Sequence, residues 1–400
     1  MKIEEIEFIP LSLPIEAPIL TCYGSLANYS RTLIKVVTES GIVGWGEIAS
    51  RYTPAMLEPY RQLFRGVSIW ETNYMAQRIK HWNYYPFVKP EPVMGAFEIA
   101  CMDAQGKAIG EPMYRLLGGR CHDSIPVASY IFFRHANAAG QGEISNPEQV
   151  VAFAKAQAAE YGFESFKLKG GYYAPEVDID SVGALRAAFP DAKLRIDPQG
   201  CWNPITAVAA AKKLEAFDLE YLEDPVWGAA AMARIRDHIR TPLATNMCVT
   251  QFEEFYPAVV SKAVDVVLTD VWYWGGPRNT IAVDKMCHAA GVGVSAHSGA
   301  ELGVGSAAIL HTAAAMPNLG SAIDCMNLHL IDDILVGGKI KPRDGRMAPP
   351  DGPGLGIEID EAKVEKYRAV AASGSAVDRF MNPALADTSR PGWYPSMPAW

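Results

Sequence analysis

The sequence predicts an α/β protein whose centre is a barrel of parallel strands, preceded by a separate α+β module. From residue 127 onward, short β-type runs alternate with helical stretches, and each gap is long enough to hold a helix. This alternation is typical of parallel strands joined by crossover helices, and eight strands close a (β/α) barrel. The eight runs cover residues 127–132, 163–169, 192–199, 219–225, 241–247, 265–271, 291–297 and 321–326.

The helical stretches carry their own start signals. Asn146-Pro147 and Asn203-Pro204 each place a capping residue before a proline at the first helical position, and Gln149 follows three residues after Asn146. An open, doubly wound sheet is the main alternative to a barrel. It lacks support because no GxGxxG motif follows the first strand.

Residues 1–125 do not follow this rhythm. Their pattern predicts a strand over residues 3–13, a hairpin formed by residues 31–37 and 42–47, and a helix over residues 92–109. A few strands followed by helices are typical of an α+β module. This part of the chain is therefore predicted to lie outside the barrel.

The composition limits the class of protein. Lys and Arg total 36 against 45 Asp and Glu, and the formal charge of −9 argues against nucleic-acid binding. Seven scattered cysteines without a CxxC motif argue against a disulfide framework and a thiolate zinc site. The acidic start and the lack of a long apolar run predict neither a secretion signal nor a membrane span. We therefore expect a cytoplasmic protein without a membrane partner.

Ionisable or amide side chains stand at the ends of the predicted strands. The carboxyl ends of all barrel strands meet at one mouth, so these side chains are expected to share one cavity. One such residue alone is more often a helix cap or a satisfied core residue, but this many charges have to pair or bind metal. The residues are Lys167, Lys169, Asp197, Glu223, Asn246, Asp270, His297 and Asp324.

Three of these residues form a candidate metal site. Asp197, Glu223 and Asn246 would supply hard oxygen ligands from three adjacent strands. Two carboxylates and an amide suit Mg²⁺, which keeps its other positions for water and substrate oxygens, whereas zinc favours His and Cys.

The other residues suggest proton transfer. Lys167 and Lys169 have the same parity on one strand, so both face the interior, where two cations favour an anionic substrate. Their repulsion and the metal are expected to lower the pKa of at least one lysine, making a neutral amine available as a base. Asp270 and His297 lie on neighbouring strands and predict a carboxylate–imidazole pair. This layout predicts removal of the proton α to a carboxylate, with an enediolate stabilised by Mg²⁺ and Lys167.

The ordered motifs KLK, DPQG, LEDP, ATNM, LTD and SAHS resemble those of the enolase superfamily, in its mandelate racemase/muconate lactonizing enzyme branch. The similarity covers essentially the whole chain. It implies a modified TIM barrel, (β/α)7β, over residues 126–330, with a capping domain built from residues 1–125 and the Pro- and Gly-rich segment 331–400.

The same resemblance implies roles for individual residues. Mg²⁺ would bind Asp197, Glu223 and Asn246, while Lys169 and the Asp270–His297 pair would act as acid/base groups. Since members of the family are often oligomers, a homo-oligomer is expected.

Within that branch, the chain is most similar to the glucarate dehydratase subgroup. The shared features are Asn246 as third ligand, the Tyr-x-Phe pattern at Tyr130 and Phe132, and the closing RPGWYPSMPAW. The subgroup implies that Tyr130 and Phe132 line the substrate pocket. It also implies a lyase that eliminates water from an acid sugar and yields a 2-keto-3-deoxy acid.

Other positions depart from that subgroup. The early loop ILTCYGSLANYS lacks its His, the sequence HSG at 297–299 replaces His-Ser-Asn, and IDCM at 323–326 replaces Ile-Asp-Thr-His. These differences indicate the same reaction class on an acid sugar other than glucarate. Thr21, Tyr23 and Asp324 are the candidate substrate contacts in these regions.

Two alternatives stay open. A racemase or epimerase of an α-hydroxy acid would use Lys169 and His297 as paired bases on the same scaffold. A non-catalytic barrel that binds Mg²⁺ and an acid sugar would need the same ligands but no proton transfer.

Overall fold

The computed structural model describes residues 1–82, 89–374 and 400. The chain begins with a three-stranded antiparallel sheet in the order β1-β2-β3, followed by helices that pack against it. The elements are β1 (Ile3–Thr21), β2 (Gly24–Thr38), β3 (Val43–Ala49), α1 (Pro54–Phe64), α2 (Thr72–Trp82), α3 (Glu91–Ile109) and α4 (Met113–Leu116). This part has the predicted α+β character.

The first strand is longer than the sequence pattern predicts. It runs to Thr21 rather than ending near residue 13. Pro14 and Pro18 interrupt the pattern from which a strand is read, and the register with β2 shifts between Pro14 and Ile19. Because β1 is an edge strand of this sheet, a proline without an N–H group can be accommodated there.

Eight parallel strands and seven helices then alternate along the chain. They are β4 (Ile125–Phe132), α5 (Pro147–Tyr161), β5 (Ser165–Lys169), α6 (Pro175–Ala188), β6 (Lys193–Asp197), α7 (Pro204–Leu214), β7 (Tyr221–Glu223), α8 (Ala229–Arg236), β8 (Leu243–Thr245), α9 (Phe252–Val260), β9 (Val266–Thr269), α10 (Pro277–Ala290), β10 (Gly293–Ala296), α11 (Gly303–Ala314) and β11 (Ile323–Cys325). Every predicted β run contains one of these strands except the first, where β4 begins two residues before the predicted run.

The hydrogen-bonded strand order is β10-β9-β8-β7-β6-β5-β4-β11. Neighbours follow chain order, and the last strand pairs with the first, as in a barrel. After β11 comes a short 3-10 turn, Asn327–His329, where an eighth helix would stand. The modified (β/α)7β barrel is therefore confirmed.

The predicted capping residues begin the helices as expected. The Asn146 side chain accepts a hydrogen bond from the backbone N–H of Gln149, and Asn203 accepts from those of Ile205 and Thr206. Each cap fixes where the preceding loop turns away from the barrel mouth.

The first module packs closely on its own helix α3. A Cβ atom at Gly46 would lie 2.2 Å from the carbonyl oxygen of Ala96, and one at Gly44 would lie 2.0 Å from that of Ala100. Only glycine permits β3 to approach the helix so closely. This contact fixes β3, whose last residues face the barrel mouth.

The C-terminal part of the described chain returns to the first module. Helix α12 (Glu361–Ala372) packs against β1, and Arg368 Nη1 lies 3.4 Å from Glu7 Oε1. The division into residues 1–125, 126–330 and 331–400 stays a prediction. Most of the predicted aromatic tail, residues 375–399, lies outside the described residues.

Two general features bear on the class of protein. None of the helices described is both long and apolar enough to cross a membrane. The seven cysteines are free thiols.

Candidate active site

The polar residues predicted at the strand ends do lie at the carboxyl ends of the barrel strands. Lys169, Asp197 and Glu223 are the final residues of β5, β6 and β7. Asn246, Asp270 and His297 directly follow β8, β9 and β10, and Asp324 lies within β11. All of these side chains are buried. The fold therefore gathers them at one end of the barrel.

Two lysines and three carboxylates make direct contacts there. Lys167 Nζ lies 2.6 Å from Glu223 Oε2, 2.7 Å from Asp324 Oδ2 and 4.0 Å from Asp197 Oδ2. Lys169 Nζ pairs with Asp197 Oδ2. The buried charges are thus compensated by one another, as buried charges have to be.

The contacts set the protonation of these groups. Burial alone would lower the pKa of Lys169 and of Lys167, but Asp197 outweighs it at Lys169, and Asp324 and Glu223 outweigh it at Lys167, so both pKa values are raised. Burial would raise the pKa of Asp197, yet Lys169 and Lys167 hold it below its usual range. Among the protein's own groups the carboxylates outweigh the repulsion between the two lysines, and the lowering of a lysine pKa expected with a bound metal stays a prediction.

Glu223 behaves differently from Asp197. Burial raises the pKa of Glu223 well above its usual value, and the neighbouring Asp197 adds to the effect although Lys167 opposes it. Three carboxylates face only two lysines, so Asp197 and Glu223 can both be charged only beside a further cation. This arrangement leaves room for positive charge between them.

The donor set fits a hard divalent cation. Glu223 Oε1 and Asn246 Oδ1 are buried oxygens that accept no hydrogen bond from the described residues. Together with Asp197 they offer two carboxylates and an amide oxygen, which is a ligand set suited to Mg²⁺. No group of three or more His, Cys, Asp or Glu in the described part of the chain is arranged to hold a metal, and the candidate site is completed by the Asn246 amide instead of a third carboxylate.

Asp224 holds Asn246 in place. Its Oδ2 accepts hydrogen bonds from the backbone N–H groups of Asn246, at 2.8 Å, and Met247, at 3.2 Å. Its Oδ1 accepts one from Thr245 Oγ1 at 2.5 Å. The loop after β8 is therefore fixed by the residue that follows Glu223, and sequence reasoning missed this role because the motif drew attention to Glu223 alone.

Asp270 and His297 form the predicted pair. His297 Nδ1 lies 3.1 Å from Asp270 Oδ2. Asp270 Oδ1 accepts hydrogen bonds from the backbone N–H groups of Trp272, at 2.8 Å, and Tyr273, at 3.0 Å. With Nδ1 donating to the fixed carboxylate, Nε2 is the basic nitrogen of the ring. The ring also stacks on Tyr273, with centroids 6.4 Å apart.

Tyr130 and Phe132 lie beside the lysines. Both rings are buried, with centroids 4.9 Å apart, and the Tyr130 ring lies 4.8 Å from Lys167 Nζ and 5.5 Å from Lys169 Nζ. Burial raises the pKa of Tyr130, and its hydroxyl has no hydrogen-bond partner among the described residues. A neutral hydroxyl beside two cations is available to a ligand.

The first module contributes residues from the β1–β2 turn. Tyr23 Oη donates to the carbonyl oxygen of Gln199 at 3.1 Å, two residues beyond Asp197. Thr21 Oγ1 donates to the carbonyl oxygen of Gly24 at 3.0 Å, so this hydroxyl stabilises the turn itself. Tyr23 therefore reaches the barrel mouth, whereas Thr21 shapes the segment that carries Tyr23.

Two adjoining cavities open between the first module and the barrel mouth. One, of about 470 Å³, is lined by the candidate metal ligand Asn246, and the other, of about 110 Å³, by Asp270 of the acid/base pair. They share a wall made of Arg51, Tyr52, Pro92 and Tyr273. This combined space is the candidate substrate site, with Asn246 of the candidate metal site in its larger part and Asp270 of the acid/base pair in its smaller part.

Comparison with known proteins identifies the family. Residues 149–363, more than half of the chain, match the family described as Enolase C-terminal domain-like. The chain belongs to the enolase superfamily, in its mandelate racemase/muconate lactonizing enzyme branch. It is 41% identical over 319 residues to a probable glucarate dehydratase of Streptomyces coelicolor, covering 77% of this chain and 73% of that protein.

Other enolase-superfamily members extend the similarity to the whole chain. The crystal structure of an enolase from Gibberella zeae, complexed with magnesium, formate and sulfate, has a TM-score of 0.93 at 32% identity, covering 100% of this chain and 97% of that one. An N-succinyl-L-Arg/Lys racemase of Bacillus cereus is 25% identical over 376 residues, covering 92% of this chain and 98% of that protein. The family therefore includes more than one reaction on this scaffold.

This enolase-superfamily site also contains two arginines that sequence reasoning missed. Arg31, on β2, and Arg51, just after β3, line the smaller cavity. Both lie in the first module, where an isolated arginine in a strand or turn looks like an ordinary surface cation. Their proximity to Asp270 depends on how the two parts of the chain pack, and no local pattern signals it.

Proposed function

We propose that this protein is a Mg²⁺-dependent acid-sugar dehydratase. The observation that carries the proposal is the joint placement of the Asp197, Glu223 and Asn246 oxygens, Lys169, and the Asp270–His297 pair at the carboxyl ends of the barrel strands, where Asn246 and Asp270 line two adjoining cavities. The similarity to a probable glucarate dehydratase supports the same reaction class. The sequence departures described above support an acid sugar other than glucarate as substrate.

Each protein group has a task in this reaction. Asp197, Glu223 and Asn246 would hold Mg²⁺, which would supply a Lewis acid that makes the proton α to a carboxylate more acidic. Asp197 would then be shared between the metal and Lys169, which favours the neutral amine of Lys169. Lys167, held by Glu223 and Asp324, supplies positive charge for the substrate carboxylate.

The elimination then needs one base and one acid. Lys169 takes the proton from Cα, and the His297 imidazolium, supported by Asp270, gives a proton to the departing hydroxyl at Cβ. The substrate loses H⁺ from Cα and OH⁻ from Cβ, which leave as water. The resulting enol becomes the 2-keto-3-deoxy acid.

A racemase or epimerase is the second candidate. Lys169 and His297 are both candidate bases, and the Bacillus cereus relative named as a racemase is similar over 92% of this chain. In that reaction one group removes the α-proton and the other returns a proton to the opposite face. Mass is conserved, so the product distinguishes the two reactions.

The test is a mass-spectrometric screen. The protein is incubated with Mg²⁺ in D₂O against aldonic, aldaric and uronic acids. Loss of water from one acid is expected and identifies the substrate. Deuterium incorporation without loss of water would replace dehydration by epimerisation. No change in any acid would contradict both, and would favour a barrel that binds Mg²⁺ and an acid sugar without turnover.

A further inference from the structure

We propose that Arg51, assisted by Arg31, binds a second acidic group of the substrate, so that the site selects dicarboxylic over monocarboxylic acid sugars. This rests on the proposed function, which concerns the carboxylate beside Lys167. The new inference concerns the other end of the same molecule.

The cavity places both arginines opposite the barrel groups. The larger space is lined by Asn246 and Arg51, and the smaller one by Asp270, Arg51 and Arg31. A molecule that starts at the metal ligand and extends past Tyr273 therefore reaches Arg51. Because Arg51 lines both spaces, it is within reach of an anionic group in either of them.

Arg31 has one hydrogen-bonding group without a partner. Its side chain is 5% exposed, and its Nε lies 2.6 Å from Glu47 Oε1. Its guanidinium stacks 4.7 Å over the Trp272 ring, and Nη1 lies 3.5 Å from the carbonyl oxygen of Gly299. Nη2 is buried without a partner in the described part of the chain. A buried N–H group of this kind calls for an acceptor, which a ligand oxygen in the cavity supplies.

Among the described residues, no carboxylate forms an ion pair with Arg51, so its positive charge is not compensated there. Glu47 compensates Arg31, whereas the neighbours of Arg51 are the neutral hydroxyls of Tyr52 and Tyr273. Its guanidinium lies 5.4 Å from the Tyr52 ring, so the side chain is held against the cavity wall while remaining exposed. A planar guanidinium whose neighbours are neutral is well suited to a carboxylate.

The cations at the barrel mouth are already compensated. Lys167 pairs with Glu223 and Asp324, and Lys169 pairs with Asp197. A second substrate carboxylate therefore gains more from Arg51 than from the lysines. The same arrangement gives a neutral hydroxymethyl end no comparable contact.

The experiment compares hexaric acids with the hexonic acids of the same hydroxyl configuration. We expect the wild-type protein to turn over a hexaric acid with the higher kcat/KM. Arg51→Gln should lower kcat/KM for the diacid about 10- to 100-fold, the range for hydrogen bonds to charged groups, and lower the monoacid value by much less. Arg51→Lys should recover part of the loss because it restores charge without the bidentate geometry.

Arg65→Gln is the matched control, because Arg65 is an exposed arginine of the first module that lines neither cavity. Equal losses on diacid and monoacid, or an unchanged diacid value, would overturn the role of Arg51. Turnover of monoacids alone would overturn the inference and leave dehydration standing.

If no acid sugar is turned over, the proposed function is contradicted. The arginine site is then tested separately, by measuring diacid binding with calorimetry. Diacid binding with Mg²⁺ that weakens in Arg51→Gln would still support the arginine site. Binding that is unaffected by the substitution, or no diacid binding, would contradict it.

Discussion

Asp197 is the residue on which the contacts of the site converge. Its Oδ2 pairs with Lys169, and its Oδ1 accepts a hydrogen bond from the backbone N–H of Gln199 at 2.7 Å. The side chain is fully buried, so its charge is retained only through these partners. A change that preserves its shape but removes its charge therefore tests the metal site more cleanly than a truncation.

We expect Asp197→Asn to weaken Mg²⁺ binding and to lower kcat at least about 100-fold, because an oxygen ligand and its charge are lost together. Titration calorimetry with Mg²⁺ and turnover measurements check this. Asp191→Asn, on the exposed turn before β6, should change neither quantity. Wild-type turnover in Asp197→Asn would contradict the ligand assignment.

Lys169 and His297 are expected to act on opposite faces of the substrate. Lys169→Ala and His297→Asn should each abolish α-proton exchange with D₂O for one epimer of an acid sugar and retain it for the other, because each variant keeps one base. NMR of the recovered substrates measures the exchange. Lys212→Ala, on the exposed side of α7, should retain both exchanges. Equal loss on both epimers in either variant would argue against two independent bases.

At the scale of elements, α11 joins the barrel to the segments around it through one histidine. His311 Nδ1 accepts a hydrogen bond from the backbone N–H of Tyr114 at 3.3 Å, and Nε2 donates to the carbonyl oxygen of Leu355 at 3.1 Å. The neutral ring satisfies both contacts at once. Burial lowers the pKa of His311 to about 4, although the Leu355 contact and Asp351 oppose this.

The lowered pKa predicts acid sensitivity. The unfolded chain, with a His pKa of about 6.5, binds the proton more readily than the folded one. The contribution of His311 is therefore complete above pH 6.5 and is lost as the pH falls towards 4. Between pH 7.5 and pH 5 the free energy of unfolding should fall by about 2 kcal/mol from this residue.

Urea unfolding at the two pH values measures that loss. In His311→Gln the decrease should be smaller by the same amount, although the variant is less stable at pH 7.5. His238→Gln, which replaces an exposed histidine, should behave as the wild type does. The same pH dependence in His311→Gln and in the wild-type protein would show that other groups cause it.

The elements of the barrel could be predicted, and those of the first module only in part. The barrel strands are short and apolar, and their ends carry polar residues. The apolar runs and the polar residues after them therefore predict the same strand boundaries. Strand β1 was underestimated because Pro14 and Pro18 look like an end to a strand, and only the edge position in the finished sheet permits them. The prediction of helix α3 was nearly correct to the residue, since a largely apolar stretch is bounded by Pro92 near its start and Gly110 after its end.

The candidate site shows the same division. Lys169, Asp197, Glu223 and Asn246 could be placed together because strand ends of a barrel converge whatever the loops do. Arg31 could not, since its carbonyl partner at Gly299 is 268 residues away in the chain. Arg31 is buried because the first module packs against the barrel, and no local sequence pattern indicates that packing.

On the scale of the whole molecule, Glu47 connects the first module to the barrel. This fully buried carboxylate on β3 accepts hydrogen bonds from the backbone N–H groups of Leu302, at 2.9 Å, and Gly305, at 2.8 Å, at the start of α11. It also pairs with Arg31. This one side chain on β3 therefore binds the start of a barrel helix and also holds Arg31, which lines the smaller cavity.

We expect Glu47→Gln to lower the free energy of unfolding by about 3–5 kcal/mol, because it leaves Arg31 buried without its counter-charge. Chemical denaturation followed by tryptophan fluorescence checks this. Glu58→Gln, which removes an exposed partner of Arg61, should cost about 1 kcal/mol or less. A Glu47→Gln variant as stable as the wild-type protein would contradict the connecting role.

In the proposed mode of binding, the two ends of the substrate would contact different parts of the chain. The proton-transfer groups belong to barrel strands, whereas Arg31 and Arg51 belong to the first module. The residues proposed for proton transfer and those proposed for substrate selectivity can therefore be changed separately. Replacing the segment 20–52 with that of a relative is the most direct route to redesigning selectivity. It exchanges the residues proposed to select the substrate and does not change any of the residues at the ends of the barrel strands.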